Sequence, residues 1–139
     1  MAVAPFEFAV DISWGHCDPA GIIYYPNYFR WFDAAYHAFL KDRSLDQRIL
    51  AQKLGTMGTG LIDAGASFLA PITYGDRLII TLSIDEWRNK TLRVVYEGRC
   101  NDRVVMRGHE LRGLFVRDVG TGKISAAPIA PLRALIEAS

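Results

Sequence analysis

Residues 15–27, GHCDPAGIIYYPN, set one aspartate, Asp18, between a cysteine and a proline, just ahead of a glycine and an aromatic run. A carboxylate in such a place has two chemical uses. It can activate water as a general base, or attack a carbonyl carbon itself. Both need something that stabilises negative charge on the carbonyl oxygen. A helix starting between Tyr24 and Asn27 would supply it, because its first turn leaves backbone N–H groups unpaired and carries partial positive charge. The same residues also have a plain structural use: Asp before Pro commonly caps a helix or closes an Asx turn. DPAG alone does not choose between them.

Other reactive side chains are scattered. His16 and Cys17 are adjacent, and neighbours in an extended segment point to opposite sides, so a Cys/His dyad is not expected. His37 and His109 stand alone in sequence. Cys17 and Cys100 are the only cysteines and form no CxxC or Cys/His ligand pattern, so neither a disulfide framework nor a metal site is expected, and both read as small, reduced thiols. Asp33 projects beside Phe29 and Leu40, at the margin of an apolar helical stripe. There it either receives a hydrogen bond from something held against a sheet or simply pairs with Arg30 or His37 along the helix. Asp63 lies in an apolar stretch where alternation can turn it outward. Arg88 and Lys90 flank a turn and project the same way, a fork and a point charge suited to phosphates, or two solvated bases.

The elements that must position these groups follow from periodicity. Phe6, Phe8, Val10 and Ile12 alternate with Glu7, Ala9, Asp11 and Ser13, as in a half-buried strand. From Pro26 to about Asp42 the period becomes helical, with Tyr28, Phe32, Ala35, Tyr36 and Phe39 on one side and Pro26 tolerated in the first turn. Residues 44–53 form a second short helix, capped by Ser44 and ended by Gly55. Gly58 and Gly60 read as a flexible join. Strands follow over residues 61–72, 77–87, 91–101 and 103–116, with turns at 75–76, 88–90 and 101–102. The apolar stretch 132–136 suits strand or helix. This order predicts one α+β domain over residues 1–139, in which an antiparallel sheet covers the aromatic stripe of the long helix.

Composition sets limits on partners. A chain of 139 residues with 50% hydrophobic content is long enough for one real core. Its 16 basic and 15 acidic residues nearly cancel, which does not favour nucleic acid or an anionic membrane as the main partner. No stretch approaches a membrane span, and residues 1–10 lack the basic start and apolar core of an export signal; a soluble, cytoplasmic protein is expected.

The run WGHCDPAGIIYYPNYFRWFDAA, continued by ASFLAPITYGDRLII, DEWRNK and VMRGHELR, resembles the 4-hydroxybenzoyl-CoA thioesterase family of the hotdog superfamily, in one register over most of the chain. The resemblance implies a long helix wrapped by a curved antiparallel sheet, dimers or dimers of dimers, and active sites at the subunit interface. It implies that Asp18 is the nucleophile or general base and that the Tyr25 backbone N–H polarises the thioester carbonyl. Asp33 would contact the 4-hydroxyl of the acyl group across the interface, and Arg88 and Lys90 the phosphates of coenzyme A. No cofactor is implied, coenzyme A being part of the substrate. The expected reaction is hydrolysis of an aromatic acyl-CoA, first 4-hydroxybenzoyl-CoA. Alternatives are benzoyl-CoA, another hydroxybenzoyl-CoA, a short aliphatic acyl-CoA, or acyl-CoA binding without catalysis. Two positions depart from the family pattern: Asn89, where another basic residue is usual, and Asp63, where a smaller polar one is.

Overall fold

The computed structural model describes residues 3–139. Met1 and Ala2, the first residues of the segment read for an export signal, lie outside the described residues. The chain runs β1 (Phe6–Asp11), a 3-10 turn (Trp14–His16), α1 (Pro26–Asp42), α2 (Gln47–Leu54), β2 (Gly58–Phe68), β3 (Arg77–Trp87), β4 (Thr91–Cys100), β5 (Arg103–Arg117), β6 (Ile124–Ala127) and α3 (Ala130–Ala138). Every strand pairing is antiparallel, in the order β1-β3-β4-β5-β2. β6 adds to β5 from Leu114 onward, beyond the end of its pairing with β4 at Gly113. A curved sheet around one long helix is the α+β architecture the sequence predicts.

The reason is the stripe on α1. Tyr28, Phe32, Ala35, Tyr36 and Phe39 are all buried, joined by Trp31 and Leu40. They meet Leu78, Ile80 and Leu82 from β3 and Leu92, Val94 and Tyr96 from β4, each set spaced by two as strand geometry requires. Phe32 stacks on Tyr96 with ring centroids 4.5 Å apart, which fixes how the helix seats on the sheet.

Several boundaries differ from expectation, each for a local reason. Asp46, not Ser44, caps α2, accepting the Ile49 N–H at 3.0 Å; Ser44 lies in the preceding turn at φ 57°, where Leu45 is drawn into the core. Gly58 and Gly60 are not a flexible join but the start of β2. A Cβ on Gly60 would stand 2.6 Å from the Phe115 ring, so the ring packed over this position leaves room only for glycine unless it shifts. β2 stops at Phe68 rather than residue 72, because the Leu69 and Ala70 N–H groups both turn to the Val105 carbonyl ahead of Pro71. The stretch left open as strand or helix is α3, whose Leu132 and Ile136 are buried one turn apart behind Pro131 in the first turn.

Candidate active site

The loop carrying Asp18 is held by backbone bonds on both sides. Cys17 bridges Ile23, Ile22 bridges Thr73, and the Asp18 N–H donates to the Ile22 carbonyl at 2.8 Å. Gly21 closes the turn at φ 82°, a conformation a side chain would resist. Thr73 then donates its hydroxyl to the Gly21 carbonyl at 2.5 Å, tying the loop to the chain between β2 and β3.

Asp18 is half-buried, and one carboxylate oxygen accepts the Ala20 N–H at 2.8 Å. The Asx turn is therefore present, but the helix cap is not: α1 begins without any side-chain cap. The backbone donors at this helix start are almost fully used. Tyr24 N–H goes to the His16 carbonyl, Asn27 N–H to Tyr24, Tyr28 N–H to Tyr25, and Pro26 has none. Tyr25 N–H alone among them has no hydrogen-bond partner among the described residues. A free amide at a positive helix end is what a developing oxyanion requires.

Asp18 and Tyr25 line the same cavity, about 430 Å³, with Ile23, Tyr28, Phe68 and Ile72 among its walls. Tyr28 stacks on Phe68 at 5.0 Å, and burial, with a smaller contribution from Cys100, pushes its phenol up to about 12. The cavity is walled mainly by apolar side chains, with Asp18 and the two tyrosines its polar members. An apolar surround strengthens the interaction of those dipoles with a bound carbonyl.

His16 and Cys17 do not form a dyad. His16 Nδ1 accepts the Ser13 N–H, and the Cys17 thiol lies 3.7 Å from the Ser13 carbonyl. Among the described residues no group of three or more His, Cys, Asp or Glu side chains could hold a metal ion.

Asp33 is elsewhere in the single chain. It lies eight residues past Tyr25 on α1, about 12 Å along the axis at 1.5 Å per residue, and does not line the Asp18 cavity. Its Oδ1 accepts from Arg112 Nη2 at 2.9 Å and lies 3.3 Å from His37 Nε2. The His37 contact is the helical pairing anticipated; Arg30 is not involved. Arg112 was not foreseen. It and Glu110 are buried, face to face beneath α1, with Tyr96 donating to Glu110 at 2.5 Å. The signal was available: residues 106, 108, 110, 112 and 114 share one face of β5, and Met106 and Leu114 mark that face as buried. Burial pulls against the Arg112 charge, but Glu110 and Asp33 outweigh it and hold the guanidinium above its ordinary value.

Arg88 and Lys90 occupy the β3–β4 turn, at the far end of β3 from the Asp18 loop, so the single chain does not bring them to the carboxylate. Arg88 pairs with Glu86 at 3.0 Å and Lys90 is exposed. Asn89 uses its carbonyl to accept the Ile129 N–H at the start of α3. Asp63 faces outward and meets His109 Nε2 at 3.2 Å. That pair borders a wider hollow, about 810 Å³, lined by Arg93, Glu97, Arg107 and His109; it does not reach Asp18. No helix among the described residues is long and apolar enough to cross a membrane.

The family model for the thioesterase-like superfamily matches residues 12–135. A 4-hydroxybenzoyl-CoA thioesterase from Pseudomonas sp. strain CBS-3 is 36% identical over 115 residues, covering 77% of this chain and 80% of that one. Among solved structures, an aspartate-to-asparagine mutant of a 4-hydroxybenzoyl CoA thioesterase, complexed with 4-hydroxybenzoyl CoA, superposes with a TM-score of 0.85 at 30% identity. That match covers 95% of this chain and 98% of the other. A gentisyl-coenzyme A thioesterase superposes with a TM-score of 0.77 at 29% identity, over 94% and 98% of the two chains. This chain belongs to the thioesterase-like superfamily and is an acyl-CoA thioesterase with the hotdog fold.

Proposed function

We propose that the enzyme hydrolyses 4-hydroxybenzoyl-CoA to 4-hydroxybenzoate and coenzyme A, with Asp18 as the catalytic carboxylate. The observation that carries this is that Asp18 and Tyr25, whose N–H has no hydrogen-bond partner among the described residues, line one cavity. The thioester carbonyl oxygen binds that amide, and the helix end stabilises the charge it gains as the carbon becomes tetrahedral. Asp18 keeps one oxygen on Ala20, which orients the carboxylate and leaves the second free. The free oxygen either takes a proton from attacking water or attacks to form an anhydride that water then opens. In both routes the C–S bond breaks, coenzyme A leaves as thiol, and one water is consumed.

The aromatic preference rests on Asp33. A benzoyl group is shorter than the helical distance from Tyr25 to Asp33 of its own chain, so the carboxylate that meets the 4-hydroxyl comes from a second copy, in a dimer or dimer of dimers. Arg88 and Lys90 hold the phosphates of coenzyme A at its outer end. The relatives named for 4-hydroxybenzoyl CoA support this acyl group.

Thiol release measured over 4-hydroxybenzoyl-, gentisyl-, benzoyl- and acetyl-CoA tests the reading. The expected order places 4-hydroxybenzoyl-CoA first in kcat/KM. Asp18→Asn should lose about 10²- to 10⁴-fold in kcat with KM little changed, the size of a lost general base. Near-normal turnover by that variant would remove Asp18 from the chemistry.

A further inference from the structure

Beneath Asp33 lies a charged post that the apolar core had no need to contain. Arg112 has a side chain 3% exposed, and nearly all of its donors are spent. Nε and Nη2 grip the two oxygens of Glu110 at 3.0 and 3.1 Å, Nη1 reaches the Thr59 carbonyl at 3.4 Å, and Nη2 also holds Asp33 Oδ1. The guanidinium lies 4.2 Å from the centroid of the Tyr36 ring, so it cannot turn aside. Buried ion pairs rarely improve on apolar packing for stability, which directs attention to what the pair holds.

What it holds is a half-exposed carboxylate. Glu110 neutralises Arg112, and Asp33 remains as the third charge, 57% exposed at its side chain. Its Oδ1 accepts from Arg112 and has His37 Nε2 3.3 Å away, so both contacts fall on that one oxygen. Oδ2 is left free to accept. A carboxylate pinned by one oxygen and open at the other offers a single, fixed acceptor.

We propose that Arg112, held by Glu110, is a positioning residue for acyl recognition: it fixes Asp33 so that Oδ2 accepts one ring hydroxyl and thereby sets the preference for hydroxylated over plain benzoyl thioesters. The inference rests on the reading of Asp33 as the acyl contact. Arg112 touches no substrate. Its effect passes through Asp33, so it belongs to ground-state recognition of the hydroxyl and not to bond breaking.

The test compares 4-hydroxybenzoyl-CoA with benzoyl-CoA in three variants whose folding is checked by thermal melting. Glu110→Gln with Arg112→Gln removes both buried charges while keeping amides in their place. Its preference for the hydroxylated substrate should fall about tenfold, the worth of a hydrogen bond to a charged group. The loss should appear in KM for 4-hydroxybenzoyl-CoA, with kcat and KM for benzoyl-CoA near wild type, a split that general loosening would not give. Asp33→Ala should lose the same preference, and adding it to the double variant should cost nothing more. If the folded double variant keeps the preference while Asp33→Ala loses it, Arg112 is not a positioning residue although Asp33 remains the acyl contact. If Asp33→Ala keeps the preference, the reading of Asp33 fails and the inference falls with it. Should the double variant not fold, Arg112→Lys decides, because an ammonium cannot reproduce the fork to Glu110 and Asp33 together. A full preference in Arg112→Lys overturns the proposal.

Discussion

The two carboxylates for which we propose roles in the reaction are held in different ways. Asp18 sits on a loop, half-buried, with one backbone N–H as its only hydrogen-bond donor among the described residues. Asp33 sits on a helix, against a buried arginine that is itself gripped by a buried glutamate. The loop is built by turns and isolated bridges; the cluster is built by two neighbouring positions of β5 and the stripe of α1. A carboxylate that attacks or takes a proton needs a free oxygen and room for its partner. One that recognises a hydroxyl gains from immobility, since any ordering left undone must come out of binding. Under the proposed roles, the contrast is between a group left open for chemistry and a group locked for selection.

The contrast predicts very different costs of removal. Arg112→Ala leaves Glu110 buried and uncompensated, and should destabilise the fold by about 3–5 kcal/mol. Asp18→Asn keeps an oxygen for the Ala20 N–H and strands no buried partner, so its effect on stability should stay within about 0.5 kcal/mol. Urea unfolding of both variants measures this directly. Comparable losses in the two would mean that the Asp18 loop is as deeply built into the fold as the cluster, and the distinction would fail.

The sequence made one half of this pair readable and concealed the other. Asp18, Gly21, Tyr25 and Pro26 all fall within residues 18–26, so turn chemistry and helix start lie in one window. The long helix was equally legible because five stripe residues repeat at helical spacing and all are buried. The Asp33 cluster joins residues 79 positions apart, and its members are charged, which sequence patterning ordinarily assigns to solvent. Only the shared face of Met106, Glu110, Arg112 and Leu114 indicates otherwise. β6 escaped notice for a simpler reason: four residues, ISAA, are too few to establish alternation. The Ser44 cap failed because capping depends on where the core takes up the chain, and here that is at Leu45, which leaves Asp46 to cap.

Gly108 offers a finer test of how rigid the locked side is. It lies on β5 between Met106 and Glu110, where a Cβ would come within 2.3 Å of the Phe32 ring. Phe32 is fully buried and stacked on Tyr96, the residue that donates to Glu110. Gly108→Ala should therefore cost about 1–3 kcal/mol as overpacking. If the strain spreads through Tyr96, the preference for 4-hydroxybenzoyl-CoA should fall more than turnover of benzoyl-CoA. Equal losses on both substrates would mean that the helix shifts as a body and that the cluster does not transmit strain selectively.

Alkaline stability is where the two regions should behave most alike. Burial pushes Tyr36 in the cluster, and Tyr28 in the Asp18 cavity, up to about 12 from an ordinary 10.0. Tyr96 is raised further, by burial and then by Glu110. Between pH 10 and 12 the unfolded chain releases phenolic protons that the native chain retains. The unfolded state then binds fewer protons, so stability falls as pH rises through that window and is complete below it. Denaturant midpoints at pH 9, 10 and 11 should decline, and Tyr36→Phe should flatten the decline. Tyr28→Phe should flatten it by a similar amount, because its phenol is raised as far. A wild-type midpoint that stays constant from pH 9 to 11 would mean that the fold holds neither phenol protonated.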